Sequence, residues 1–180
     1  MIYTTKELLK NGETQYSIKI KLNNRKLFLI QRGLYSDSKS NYIDEGYICK
    51  KYPKAVLTGL SAYAIYDLTD FIPDKFYLST EQHSFPIRRK DVVQTYQDPS
   101  FFSVGIIEMD TDDGKVRIYD LERLLIETIR LKERIAPDLY NEVIKSYRKI
   151  GDKLDYFKLN NYLKKFKNGK RLGIKIIEVI

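Results

Sequence analysis

The stretch QYSIKIKL at residues 15–22 can form a strand or a helix, and the choice decides the fold of the N-terminal region. Its apolar residues alternate strictly with polar ones, which is typical of a half-buried β-strand. In a helix, Ile18 and Leu22 would share one face and could pack on a core, whereas Ile20 would be exposed among polar side chains. The local pattern alone leaves both alternatives open.

The segments on either side of this stretch favour a helix. Before it, YTTKELLKNG (residues 3–12) predicts a short helix, because Thr4 and Glu7 have the spacing of a capping box and Gly12 can end the helix in a left-handed conformation. After it, residues 27–31 and 34–36 predict two short strands that turn at Arg32 and Gly33. A helix between these elements would give a helix–helix–hairpin arrangement.

The remainder of the chain predicts a mixed α+β fold. A polar segment at residues 36–46 is typical of a linker, so we expect domains at residues 1–46 and 47–180. The second domain should combine a small sheet with C-terminal helices. We expect its strands at residues 75–80, 91–96, 101–109 and 115–120, with a tight turn at residues 112–114.

Helical periodicity marks the helices of this second domain. Asp120 should cap the first C-terminal helix, residues 120–135, and Pro137 should begin the next. A third should span residues 153–167, and the tail LGIKIIEVI is ambiguous between helix and strand. Two apolar faces follow, namely Leu60, Ala64 and Leu68 on a helix after Thr58, and Leu154, Phe157, Tyr162, Leu163 and Phe166 on the third C-terminal helix.

Charge is distributed unevenly along the chain of 180 residues, which has a formal net charge of +8. The net charge is +4 for residues 1–50, −4 for residues 51–144 and +8 for residues 145–180. Two basic ends therefore flank an acidic middle, which suggests that different surfaces meet different partners. No stretch approaches the ~20 apolar residues that span a bilayer, and the N-terminus lacks an apolar signal region. We expect a soluble, cytoplasmic protein without a membrane partner.

Few residues could support catalysis. The single histidine, His83, lies in a polar loop, and the single cysteine, Cys49, excludes an intramolecular disulfide. Asp110, Asp112 and Asp113 could hold Mg²⁺ in a nuclease, but the same letters are what a hairpin turn between two strands requires. Neither common glycine-rich phosphate-binding motif occurs. We expect no enzyme activity, no cofactor and no metal.

The basic N-terminal region fits a winged helix-turn-helix, which inserts one helix into the major groove and lays a β-hairpin along the backbone. Residues 4–11 would be the support helix, residues 14–23 the recognition helix and residues 27–36 the wing. The alternative is a hairpin whose lysines face water. The candidate DNA-binding residues are Thr14, Gln15, Ser17, Lys19, Lys21, Arg25, Lys26 and Arg32.

The sequence resembles the AbiEi antitoxins of bacterial abortive-infection (type IV toxin–antitoxin) systems. The resemblance covers about residues 2–150 and depends on the order of three segments. These segments are YTTKELLKNG…IKLNNRKLFLIQRGLYSD, LTGLSAYAIYDLTDFIPDKFYLST and KVRIYDLERLLIETIR.

The resemblance implies an N-terminal winged helix-turn-helix that represses its own operon and a larger C-terminal domain that counters the toxin. In this chain residues 14–25 would be the recognition helix and Arg32 and Gly33 the wing tip. The antitoxin surface would map to Arg88, Arg89 and Lys90. The implied functional partner is a nucleotidyltransferase-like toxin.

Our first hypothesis is therefore a non-enzymatic antitoxin that also binds an inverted repeat in its promoter. Two protomers on two half-sites would repress cooperatively, and the protein would be a monomer in solution. The alternative is an interaction protein that neutralises the toxin by direct binding, with vestigial DNA binding. A metal-dependent nuclease that uses Asp110, Asp112 or Asp113 is the third hypothesis.

Overall fold

A computed structural model describes residues 1–39, 44–112 and 114–180 and has a mixed α+β fold with two small sheets and C-terminal helices. The chain divides into two compact units. Unit 1 comprises Met1–Pro53 and Met109–Val116, and unit 2 comprises Lys54–Glu108 and Arg117–Ile180. Among the described residues, no helix is long and apolar enough to cross a membrane.

Residues 1–53 of unit 1 form a three-stranded antiparallel sheet and three helices in their described part. Its elements are β1 (Ile2–Thr4), α1 (Thr5–Lys10), α2 (Gln15–Asn23), β2 (Phe28–Gln31), β3 (Leu34–Ser36) and α3 (Glu45–Lys51). The strand order is β1-β3-β2, so β3 lies in the centre. The boundary predicted after residue 46 falls inside α3, and residues 40–43 of the predicted linker lie outside the described part of the chain.

The opening stretch is a helix, so the strand alternative is wrong. Thr14 and Ser17 form a capping box at the start of α2. Ile18 is only 2% exposed and packs in a core with Leu8 and Leu27, which Leu22 also contacts. Ile20 is 40% exposed, as expected for the opposite face of a helix. Capping and the burial of one face therefore outweigh the alternating pattern.

The predicted hairpin also forms, and β2 and β3 closely match the predicted strands. Gly33 adopts φ +84° at the turn, and Gly12 adopts φ +86° after α1, as the sequence predicted for a left-handed terminator. β1 and α3 were not predicted. β1 is only three residues long, and α3 follows a polar segment that resembles a linker.

Unit 2 is built on a five-stranded mixed sheet. The elements of this region are β4 (Val56–Leu57), α4 (Gly59–Ile65), β5 (Phe76–Glu81), β6 (Val92–Gln97), α5 (Pro99–Phe102), β7 (Ile106–Thr111) and β8 (Gly114–Tyr119). The strand order is β6-β5-β4-β8-β7, with β5 parallel to β6, β4 antiparallel to β5 and β4 parallel to β8. The end of β7 and the start of β8 belong to the segment Met109–Val116 of unit 1.

Four helices follow the sheet, namely α6 (Leu121–Arg130), α7 (Pro137–Lys149), α8 (Tyr156–Leu163) and α9 (Gly169–Val179). Asp120 accepts a hydrogen bond from the Arg123 backbone N–H at 2.9 Å, so the predicted cap of α6 is confirmed. Pro137 begins α7 as predicted. The ambiguous tail is helical in α9.

Two predicted apolar faces are confirmed only in part, since the residues buried as predicted are Leu68, Leu154, Leu163 and Phe166. On α4, Ala62 and Tyr63 are buried whereas Leu60 is half-buried, because the helix ends at Ile65 and its packing face is rotated from the predicted one. Phe157 on α8 is 78% exposed rather than buried. The face of α8 that packs inward instead carries Leu159 and Leu163.

The glycine at residue 105 is required where the chain enters β7. Gly105 adopts φ +74°, and its carbonyl accepts a hydrogen bond from the Asp120 N–H at 2.8 Å. A Cβ atom there would lie 2.4 Å from Cβ of Arg123, whose side chain is fully buried. An L side chain at this position would therefore be strained and would also displace α6.

We expect Gly105→Ala to lower the free energy of unfolding by about 3 kcal/mol, combining left-handed strain with overpacking. Gly59→Ala is the matched control in the same unit, because Gly59 also has positive φ (+51°) but its nearest contact would be an ordinary 3.5 Å. The control should lose only about 1 kcal/mol. Denaturant unfolding measures both, and equal losses would contradict the close contact with Arg123.

Candidate nucleic-acid interface

The first turn of α2 is held by side-chain hydrogen bonds. Thr14 Oγ1 accepts from the Ser17 N–H at 3.0 Å, and Ser17 Oγ accepts from the Thr14 N–H at 2.8 Å. Ser17 Oγ also donates to Glu13 Oε2 at 2.7 Å. Both hydroxyls are therefore used to begin the helix, and a base contact by Ser17 would compete with these bonds. Gln15 is exposed beside them and has no such role.

The basic side chains of α2 and of the residues just after it differ in how far ion pairs neutralise their charge. Lys21 forms an ion pair with Glu13. The hydrogen bond from Lys21, followed by that from Ser17, lowers the pKa of the Glu13 carboxyl. Lys19, Arg25 and Lys26 are exposed, and within the described part of the chain they form no ion pair. These three residues are the open positive charges at this surface.

The hairpin presents a further cation. Arg32 is exposed in the β2–β3 turn, next to Gly33. The Gly33 carbonyl accepts a hydrogen bond from the Thr5 N–H at 3.1 Å, which ties the turn to the start of α1. Arg32 therefore projects from an anchored turn.

Two exposed apolar residues lie on α2 among the polar ones. Tyr16 is 75% exposed and Ile20 is 40% exposed, and they are one helical turn apart. The sequence predicts that Ile20 is exposed in a helix, but it assigns no role to Tyr16. The i, i+4 spacing of the two residues was the signal that could have identified them together.

The inner face of α2 is anchored to a small core. Leu8, Ile18 and Leu27 are buried together, and Tyr3 and Tyr35 pack against them. Because this core contacts both helices and the hairpin strands, α2 and β2–β3 are held as one surface.

An ion pair further braces the start of α1. Lys50 donates to Glu7 Oε2 at 3.0 Å and also to the Ile2 carbonyl. Burial raises the pKa of the Glu7 carboxyl, but hydrogen bonds from Thr4 and Lys50 outweigh it, so the net pKa is lowered. The pair therefore links α3 to β1 and α1.

The predicted antitoxin surface lies in unit 2, in the loop before β6. Arg88 and Lys90 are exposed. Arg89 instead donates to Asp91 through both Nε, at 2.9 Å, and Nη2. The segment therefore presents two exposed cations, with the Arg89 guanidinium held by the neighbouring carboxylate.

The residues considered for catalysis do not form a site in the described part of the chain. His83 is exposed, as the sequence predicted for a surface loop. Asp110 lies 3.9 Å from Lys115, Asp112 is exposed, and Asp113 lies outside the described residues. Across residues 1–39, 44–112 and 114–180, no group of three or more His, Cys, Asp or Glu residues could hold a metal. The β7–β8 pair is the hairpin that the acidic turn predicted.

No protein-family model matches the sequence, and no curated protein matches it. Among solved structures, the chain is similar to the crystal structure of the Rv2827c protein from Mycobacterium tuberculosis, with a TM-score of 0.61. The similarity covers 99% of this chain and 72% of that chain at 11% sequence identity. At this identity the similarity extends to the fold alone.

We expect Thr14→Ala to lower the stability of unit 1 by about 1 kcal/mol, because it removes the acceptor that caps α2. Thr14→Ser retains the hydroxyl and should stay within about 0.5 kcal/mol of the wild type. Helical circular dichroism during denaturant unfolding measures the difference. Equal stability of the two variants would show that the capping box contributes nothing.

Proposed function

We propose that this chain is an AbiEi-like antitoxin that binds double-stranded promoter DNA through unit 1 and represses its own operon. The observation that carries the proposal is the exposed basic face of α2, which a buried Ile18 holds next to an anchored hairpin. The order β1-α1-α2-β2-β3 supports a winged helix-turn-helix, with α2 as the recognition helix and β2–β3 as the wing.

The exposed basic and polar side chains of unit 1 would contact different parts of the DNA, namely its backbone and its bases. Lys19 on α2, together with Arg25 and Lys26 just after the end of the helix, would contact phosphates of the groove, and Arg32 would contact the backbone beside the wing. Gln15 is free to reach a base edge, where an amide can pair with adenine. Lys21 would contribute less, because it shares its charge with Glu13.

The apolar pair on α2 fits the same role. Tyr16 in the first turn of the helix and Ile20 one turn later face solvent, where a purely electrostatic surface would need neither. Apolar side chains at such positions contact the methyl group of thymine in the major groove. Exposing Ile20 to water costs free energy in the unbound protein. In the complex, the same side chain would contribute to sequence preference.

One copy of unit 1 would read only part of the promoter site that repression requires. One helix and one wing cover a half-site, so we propose that two protomers bind an inverted repeat cooperatively while the free protein is a monomer. Because phosphate contacts dominate, the affinity should fall steeply as salt concentration rises. Promoter binding would place the protein in the cytoplasm.

Neutralisation of a nucleotidyltransferase-like toxin is the second part of the proposal. We assign it to unit 2, with Arg88 and Lys90 as exposed charges of the antitoxin surface and Arg89 held by Asp91. The alternative is neutralisation by a stable direct complex. Exposed apolar side chains in unit 2 favour it, since Phe157, Ile174 and Ile177 are 78%, 59% and 81% exposed.

We expect Lys19→Ala and Arg32→Ala each to weaken promoter binding and to reduce the slope of log K against log salt by about 1, because each removes one phosphate contact. Gel shifts at several salt concentrations measure both quantities. Rescue of cells from the toxin should stay intact, since the substitutions lie in unit 1.

Lys164→Ala is the matched control, because Lys164 is an exposed lysine of unit 2 whose loss lowers net charge equally. It should leave promoter binding and the salt slope unchanged. Unchanged gel shifts for both unit 1 variants, or an equal loss for Lys164→Ala, would remove the assignment of this surface.

A further inference from the structure

A basic cavity of about 420 Å³ lies within unit 2, between α5, the end of α6 and the start of α9. Its volume is in the range of ~300–1,000 Å³ that is typical of small-molecule pockets. Four cationic side chains line it, namely Arg130, Lys167, Arg171 and Lys175, together with one carboxylate, Asp98. Neither the proposed DNA contacts nor the proposed antitoxin surface uses this cavity.

The single carboxylate is already engaged. Asp98 accepts from the Ser100 N–H at 2.9 Å and from Ser100 Oγ at 2.6 Å, which caps α5. These hydrogen bonds, with a smaller contribution from the charge of Lys167, lower the pKa of Asp98. Arg171 and Lys175 are exposed and, among the described residues, form no ion pair. The cavity therefore has excess positive charge.

The buried charges next to the cavity leave this excess in place, because Arg123 and Glu127 balance each other. Arg123 is fully buried, and its Nη1 lies 2.7 Å from Glu127 Oε1. Arg130, at the cavity wall, donates through Nε to Oε2 of the same Glu127 at 3.1 Å. Two guanidinium groups thus share one carboxylate. Within the described part of the chain, Arg123 Nε and Nη2 have no hydrogen-bond acceptor.

The first turn of α9 contributes a second kind of positive potential. α9 is 11 residues long and begins at the cavity, and Asn168 makes no side-chain cap hydrogen bond. The N-terminus of a helix attracts anions through its backbone N–H groups and its dipole. Gly169 allows this placement, because a Cβ atom there would lie 1.9 Å from the Leu163 carbonyl oxygen.

The other half of the lining is apolar and aromatic. Phe101 and Phe166 line the cavity and stack on each other with ring centroids 4.6 Å apart. Arg123 lies 5.4 Å from the Phe101 centroid and 4.7 Å from the Phe166 centroid. An aromatic ring beside clustered cations is the combination that recognises a base joined to a phosphate. A simple inorganic anion would leave the apolar half unused.

We propose that this cavity binds one nucleotide, with its phosphate against Arg171, Lys175 and the first turn of α9 and its base on the Phe101 side. The nucleotide is either a free mononucleotide or the 5′-phosphorylated end of a single strand. A duplex does not fit a cavity of this size. Because the residues belong to unit 2, binding is independent of the DNA surface proposed for unit 1.

Isothermal titration calorimetry on the full chain tests this proposal with AMP, adenosine, inorganic phosphate and a 5′-phosphorylated trinucleotide. AMP or the trinucleotide should bind, and adenosine and phosphate should each bind at least tenfold more weakly. Binding of AMP assigns a free nucleotide, and binding of the trinucleotide alone assigns a strand end. No binding of either, or equal binding of inorganic phosphate, overturns the proposal.

Variants locate the site on the same chain. The double variant Arg171→Gln, Lys175→Gln should weaken the binding at least tenfold. Lys170→Gln removes an exposed charge from the same helical turn outside the cavity and should change it less than twofold. Equal losses in the two proteins overturn the assignment. Lys19→Ala should bind the nucleotide normally even where promoter binding is lost, which separates this proposal from the proposed function.

Discussion

The burial of Ile18 against Leu8 and Leu27 is the contact on which the N-terminal surface depends. Because Ile18 is 2% exposed, α2 has a single rotational setting, and its basic face must point to solvent. The Thr14–Ser17 capping box fixes where the helix begins, so the residues on that face are also fixed in register. The hairpin joins the same core through Leu27, which places Arg32 relative to α2. One hydrophobic contact and one cap thus arrange the charges for which we propose DNA binding.

Unit 2 differs from unit 1, because its helix α6 places charged side chains in the interior. Residues 122–129 of α6 are all buried, including Arg123 and Glu127. Removing one member of such a buried pair costs about 3–5 kcal/mol, since the remaining charge is left uncompensated. Glu127 is shared by Arg123 and Arg130, which links the buried charge to the wall of the basic cavity. The core of unit 2 and the proposed nucleotide site therefore depend on the same carboxylate, that of Glu127.

The sequence predicts the elements whose ends are marked by capping or turn residues. Thr4, Gly12, Asp120 and Pro137 each marked a helix boundary through a local chemical preference, and the structure confirms them. The hairpin at Gly33 was predicted for the same reason. These signals act within a few residues and do not depend on the rest of the fold.

Long-range pairing explains what the sequence did not predict. β1 and β4 are three and two residues long, and they are strands only because distant strands pair with them. The exposure of Phe157 depends on how α8 packs. The basic cavity brings α5, α6 and α9 together from separate parts of the chain. Three of its four cations, Lys167, Arg171 and Lys175, fall in the basic stretch at residues 145–180, where the sequence marks no site.

Hydrogen–deuterium exchange with and without the upstream promoter fragment tests whether α2 reads DNA, because it reports which backbone segments the DNA covers. If α2 and the hairpin contact DNA, exchange should slow in peptides spanning residues 14–26 and 28–36, and unit 2 peptides should be unchanged. Protection confined to unit 2, or no protection in residues 14–36 at DNA concentrations that saturate binding, would contradict α2 as the DNA-reading helix.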